Sequence, residues 1–300
     1  MTSSATPGRP GTVRPSPPVR WGLIVSIAVV VGAATWAITG LDVRWSKVWT
    51  APVEMWRRVV RLMVENASWD YVGDALSAMW DSIAIAWLGT LFASVFIIPL
   101  GVLGAENVVG RWVAFGSRQV FNVLRAIPEI VLVLAVIPVL GLSKTAGVIA
   151  IGIGSIGTMS KLTADVIEGI DKGPLEAADA TGAGRLDRVR WGVLPQAMPE
   201  IASFLLYRFE INIRVSAILG AVGAGGIGEL VVLNLRFKEF GVAGVGMVVM
   251  IVITILVDTV SGAVRRRILA GPGAPLRGGP DLDPELRGEL YLGGGAGGVG

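Results

Sequence analysis

Residues 220–228 read GAVGAGGIG and set Gly223, Gly225 and Gly228 in the G-x-G-x-x-G spacing that lets a backbone wrap a dinucleotide pyrophosphate. That chemistry needs a strand before the glycines and a helix after them, inside a βαβ unit. Just upstream, in YRFEINIRVSAILG at 207–220, stand Arg208, Glu210, Asn212 and Arg214. Two guanidiniums in such a segment suit an oxyanion, because the planar fork matches phosphate-type oxygens and stays charged. At 100° per residue, Arg208 and Asn212 share one helix face and Glu210 and Arg214 the opposite one, so a single helix cannot aim all four at one ligand. These residues leave three classes open: an NAD-dependent oxidoreductase, an ion-coupled carrier or channel with Glu210 and Asp165 as coupling acids, and an anion permease.

Composition separates them. Of 300 residues 53% are hydrophobic and 16% charged, with a mean hydropathy of +0.67, which is too apolar for an ordinary soluble protein. The chain has no cysteine and no histidine, which removes thiolate ligands and the commonest general base and metal ligand. Neither a catalytic residue nor a metal site is expected. The net charge of +3 is small, and no basic, aromatic-interleaved patch suggests nucleic acid. The phosphate-binding G-x-x-x-x-G-K-[ST] is absent, so any ATPase activity is expected on a separate subunit.

The elements that must carry these residues are membrane helices. Residues 1–20, rich in Pro, Ser and Thr, are expected to form a disordered arm. Residues 21–40 contain no charge and are long enough to cross a bilayer; the long polar lead and the lack of a small-residue cleavage site favour an uncleaved span over a signal peptide. Further spans are expected at 83–105, 118–140, 145–170, 201–222 and 240–264, six in all. In the connector 41–74, Val53, Trp56, Val59, Val60 and Met63 recur at helical spacing, as in an amphipathic helix on a membrane surface or an ordinary connector helix. Residues 75–265 form the core, and the Gly- and Pro-rich 266–300 a flexible tail. Arg111, Arg118, Lys172, Arg185, Arg188, Arg190 and the run Arg265–Arg267 favour both termini in the cytoplasm of a multi-pass cell-membrane protein.

Arg208 then lies ~10 Å and Arg214 ~20 Å into the fifth span, at 1.5 Å per residue. A charge at that depth costs at least ~2.5–3.5 kcal/mol and must meet a partner or a water-filled cavity. One face is expected to line a pathway and the other to pair, with Glu210–Arg214 as an i,i+4 ion pair. Arg125–Glu129 and Lys161–Asp165 are further i,i+4 pairs, expected nearer the cytoplasmic side.

The polar stretch 173–200, GPLEAADATGAGRLDRVRWGVLPQAMPE, predicts a cytoplasmic helix-turn-helix: one helix after Pro174, a turn at Gly182 and Gly184, and a second helix with Leu186, Val189 and Val193 that Pro195 ends. Glu176-Ala177-Ala178, Gly182 four residues on, and Leu194-Pro195 resemble the EAA motif of ABC-importer permeases. Gly192 departs from it where the broad family usually has isoleucine, which leaves that contact weaker or made by Val193. DSIAIAWLGTLFASVFIIPLG at 81–101, RAIPEIVLVL at 125–134 and the string at 207–228 are similar to the phosphonate-type members, a likeness over roughly 75–265.

The resemblance implies an all-α type I ABC importer permease fold and transport of phosphonate, phosphite or phosphate. It implies docking of the 173–200 loop, through Glu176, Ala177, Ala178, Gly182, Val193, Leu194 and Pro195, on a separate ATPase. It further implies a permease homodimer with two ATPase copies, which hold the ATP and magnesium, an external substrate-binding protein and surrounding lipid. Arg208, Glu210, Asn212 and Arg214 become pathway candidates. Gly220, Gly223, Gly225, Gly226 and Gly228 become a gate or hinge.

Overall fold

The computed structural model describes residues 21–40 and 45–270. The expected arm at 1–20 and the segment 271–300 of the expected tail lie outside the described residues. The chain divides into two units, 1–58 and 59–300. In the first, helix α1 (Trp21–Gly40) carries no charge and buries none of its residues, as suits a helix whose whole circumference is apolar. Helix α2 (Trp45–Met55) contains Pro52, and a π-turn at Trp56–Val60 follows it.

The second unit is a helical bundle. Its short α3 (Arg61–Glu65) buries Met63, one of the apolar positions of the expected amphipathic segment. Then come α4 (Val72–Gly104), α5 (Glu106–Val109), α6 (Arg111–Ala126), α7 (Glu129–Leu140) and α8 (Lys144–Gly169). After these the chain forms α9 (Gly173–Ala180), α10 (Arg185–Asp187), α11 (Leu194–Gly220), α12 (Ile227–Arg236) and α13 (Phe240–Ala270). Four described helices are long and apolar enough to cross a membrane: Trp21–Gly40, Trp69–Gly104, Lys144–Gly169 and Phe240–Leu269. The 27-residue α11 is also long enough, at 1.5 Å per residue, although its charges lower its hydropathy.

Helices α4 and α8 form the spine, and glycines set their distance. A Cβ on Gly89 would lie 2.6 Å from Ile151, one on Gly101 would collide with Thr163, and one on Gly152 would collide with Phe92. Lipid tails are as apolar as leucine, so helices associate in a bilayer through close packing, which small residues permit.

Three expectations change. The span at 118–140 is two helices, α6 and α7, bent by 82°. Pro128 is extended (ψ 142°) and so is Ile127 before it (ψ 116°), because the proline ring disfavours helical geometry in the preceding residue. Pro195 does not end a helix. It lies in the first turn of α11, after a π-turn at Arg188–Val193 in which the Leu194 N–H donates to the Val189 carbonyl five residues back. The ladder changes register where proline lacks a donor, so the helical path continues from Arg185 into α11. Finally, the last helix runs to Ala270, which makes 266–270 helical rather than part of a tail.

The glycine segment is a helix reversal. Helix α11 ends at Gly220, Gly223, Gly225 and Gly226 adopt φ of 96°, 82° and 81°, and α12 starts at Ile227. A side chain at such φ is strained, which is why glycine serves here. The Ile227 N–H donates to Ser82 Oγ over 2.9 Å, and a Cβ on Gly228 would collide with the Ala217 carbonyl of α11. A helix, not a strand, precedes the glycines, and there is no strand among the described residues. The G-x-G-x-x-G spacing therefore serves backbone reversal and close helix contact, and the dinucleotide reading falls.

Gly228→Ala is expected to destabilise the bundle by about 1–3 kcal/mol or more, the cost of overpacking against backbone. Gly73→Ala, at a site with nothing within 4 Å of the added carbon, is the neutral control. Thermal unfolding of the detergent-purified protein compares them.

Candidate functional site

Arg208 lies one residue past the midpoint of α11, and its side chain is only 9% exposed. Its Nε donates to Ser155 Oγ on α8 at 3.0 Å, and its Nη2 lies 2.7 Å from Glu129 Oε1 at the start of α7. Asn212, one turn on and fully buried, donates through Nδ2 to Thr90 Oγ1 of α4 at 2.9 Å and to Ser155 Oγ at 3.1 Å. The Thr90 hydroxyl donates in turn to the Ala86 carbonyl at 2.7 Å. One network thus ties four helices, and Arg208 and Asn212 share a face as their spacing requires.

Glycines on α8 make room for it. A Cβ on Gly154 would lie 2.8 Å from Glu129 Cγ, and one on Gly157 would lie 2.9 Å from the Arg125 amide. With Arg208 taken by Glu129 and Ser155, this face acts as an internal strut. Arg125 and Glu129 do not pair across one helix turn, because α6 ends at Ala126 and Glu129 opens α7. Asp165 faces Arg118 at 3.7 Å rather than Lys161. Sequence reasoning missed Thr90, Ser155 and the partnership of Glu129. Pro128 was the one signal for the break, whereas nothing in the sequence names a hydroxyl partner.

The opposite face of α11 meets α13. Glu210 and Arg214 do not pair with each other. Arg214 lies 2.6 Å from Asp258, with side chains 45% and 38% exposed, while the buried Glu210 lies 3.3 Å from Arg265. That second pair is close enough to attract but is not aligned as a hydrogen bond, since Glu210 Oε1 has no hydrogen-bond partner among the described residues. Antiparallel packing explains the exchange: each charge of α11 finds an opposite charge on its neighbour.

The 173–200 segment folds as the expected hairpin. Helix α9 closes with Gly182 at φ 74°, the Ala183 N–H reaching the Ala178 carbonyl (3.1 Å) and the Gly182 N–H that of Asp179 (3.0 Å), a Schellman close. Arg188 lies 3.6 Å from Asp179, and Gln196 holds the hairpin base through Asp171 and the Gly192 carbonyl. Gly192 and Val193 face inward: a Cβ on Gly192 would sit 3.5 Å from the Pro174 carbonyl, and Val193 packs with Leu175, Ala197 and Ile201. Leu194 is half-buried. Glu176, Ala177, Gly182 and Pro195 are exposed, Ala178 partly so. The hairpin also displays Leu186 at 86% and Trp191 at 68% exposure, two apolar side chains that the sequence reading did not single out for contact. A cleft of about 450 Å³ beside the hairpin base is lined by Asp165, Gln196, Glu200 and Phe204, and its carboxylates suit it poorly to an oxyanion.

Arg208→Met strands Glu129 near the bundle centre and is expected to cost about 3–5 kcal/mol, as for other broken buried pairs. Adding Glu129→Leu is expected to recover much of that loss. Thermal unfolding of the two variants in detergent measures both, and equal losses would argue against the strut.

The comparisons with known proteins agree with this architecture. Residues 97–270 match the family model described as binding-protein-dependent transport system inner membrane component. The chain is 31% identical over 252 residues to the phosphite transport system permease protein PtxC of Stutzerimonas stutzeri, covering 82% of this chain and 90% of that one. It is 39% identical over 197 residues to the phosphate-import permease protein PhnE of Mycolicibacterium smegmatis, covering 65% of this chain but only 37% of that longer protein. In fold it is similar to the inward-facing MetNI methionine ABC transporter, with a TM-score of 0.56 and 24% identity over 64% of this chain and 95% of that one. The helical bundle, its buried network and its protruding hairpin therefore belong to a member of the family of inner-membrane components of binding-protein-dependent transport systems.

Proposed function

We propose that the chain is the permease subunit of an ATP-driven importer for a phosphorus oxyanion: phosphite, phosphate or a phosphonate. The likeness to the phosphite permease over nearly its full length carries this reading. Two copies form the translocation unit, each docks one ATPase copy, and an external binding protein delivers the anion. ATP and its magnesium belong to the ATPase. Both termini and the hairpin face the cytoplasm, and the glycine turn faces outward.

The hairpin supports the coupling role through its chemistry. Leu186 and Trp191 are apolar knobs at its surface, and exposed side chains of this kind anchor protein interfaces when a partner pocket desolvates them. Glu176 and Ala177 flank them on α9. Because Arg185–Gly220 is one helical path, a push on the hairpin acts on the helix that carries Arg208 and Arg214. The gate role of the 220–228 turn rests on its position at the far end of the same helix. Of the arginines on α11, Arg214 is the one an anion can reach, since it is half-exposed even in its pair with Asp258, whereas Arg208 is enclosed.

Leu186→Asp is expected to leave the permease folded and inserted but to lower phosphite uptake by more than about tenfold, the loss of one interface anchor. Glu176→Gln combined with Gly182→Ala is expected to let the assembled complex hydrolyse ATP without uptake. Vesicles holding the full complex test both. Uptake that follows an ion gradient and ignores ATP would overturn the importer reading in favour of an ion-coupled carrier.

A further inference from the structure

The break between α6 and α7 has features a lipid-facing helix could not keep. It sits at mid-depth, for Gly157, against which the Arg125 amide packs, is next to the midpoint of α8, and Glu129 reaches Arg208 near the midpoint of α11. Neither half spans alone: α7 has 12 residues, ~18 Å of rise against a hydrocarbon core of ~30 Å. At the break Pro128 has no N–H, and among the described residues no backbone acceptor meets the Ile127 N–H that caps α6. Arg125, Ala126 and Pro128 are exposed there. Lipid-exposed irregular backbone does not occur within the hydrocarbon region; it persists only where protein covers it or water reaches it.

The charge pattern of α6 selects between these. Arg111, Arg118, Asn122 and Arg125 fall within an arc of about 60° at 100° per residue. This polar stripe climbs from the hairpin end to the break. Trp112, Val113, Val120 and Val123 make a separate, exposed apolar stripe fit for lipid. Arg118 is held by the Gly104 carbonyl and Glu168, whereas Arg125 has no ion pair or hydrogen bond among the described residues. From mid-depth, some 15 Å from either surface of a ~30 Å core, an arginine side chain cannot snorkel out.

We infer that the α6–α7 break is a water-exposed station of the translocation pathway and that Arg125 is a contact there for a phosphorus oxyanion. This rests on the importer reading. A single guanidinium beside the Glu129–Arg208 pair offers transient attraction rather than a trap, as passage demands.

The natural absence of cysteine makes a direct test available. In the full transporter, Ala126→Cys is expected to react with a charged, membrane-impermeant methanethiosulfonate at least roughly tenfold faster than Ile255→Cys, on the exposed apolar face of α13 at similar depth, because a charged reagent is excluded from hydrocarbon. Saturating phosphite is expected to slow that reaction, and chloride is not. Arg125→Gln is expected to reduce phosphite uptake by about ten- to a hundredfold, the range of one hydrogen bond to a charged group, with complex assembly unchanged and partial rescue in Arg125→Lys. Equal reactivity of the two cysteines, or undiminished uptake by Arg125→Gln, overturns the inference. If the wild-type complex moves none of phosphite, phosphate or methylphosphonate, the substrate reading fails, while the labelling still decides whether water reaches the break.

Discussion

A charge at the centre of a bilayer has to be answered, and in this bundle most of the architecture follows from answering one. Arg208 lies at mid-depth on α11, where leaving it unpaired would cost several kcal/mol. Its answer is assembled from four helices: Glu129 from α7, Ser155 from α8, and Asn212 with Thr90 linking α11 to α4. Each partner must come close, so α8 carries Gly154 opposite Glu129 and Gly157 opposite the end of α6. The network sets the glycine positions, and the glycines set the helix distances.

The same requirement explains why the third crossing is broken. A straight helix through 118–140 would carry Glu129 past on its own register. Ending α6 at Ala126 and restarting after Pro128 instead lets the carboxylate open a new helix beside Arg208. Structural pairing and an exposed, irregular mid-depth backbone are thus one feature seen from two sides. Its inner side is satisfied by the bundle, and its outer side needs water.

Helix α11 joins the hairpin to this centre. Toward α4, α7 and α8 it presents groups whose hydrogen bonds are made. Toward α13 Arg214 makes a 2.6 Å hydrogen bond to Asp258 but Glu210 meets Arg265 without an aligned one, and among the described residues Glu210 Oε1, Asp258 Oδ1 and Ser261 Oγ lack hydrogen-bond partners. Buried polar groups that are fully satisfied hold a packing, and partly satisfied ones hold it less firmly. The α11–α13 seam is therefore the less fully satisfied of its two contacts, and the helical path from Arg185 joins the hairpin to both.

The sequence by itself determined that the chain spans a membrane, that a helical hairpin with a Gly182 turn leaves the bundle at 173–200, and that Arg208 and Asn212 face away from Glu210 and Arg214. Those properties are local: hydropathy over a window, turn chemistry at one glycine, and 100° per residue. Tertiary structure alone decided the partners. Glu210 and Arg214 satisfy the i,i+4 rule, yet each pairs with α13, and Arg125–Glu129 satisfies it across a break. Proline could not settle that break either, since Pro99 and Pro138 sit inside continuous helices while Pro128 parts two. Periodicity tells which side of a helix a charge occupies, but which opposite charge lies across from it depends on how segments distant in sequence pack, and here antiparallel α13 brings Asp258 and Arg265 to the face that Arg214 and Glu210 share.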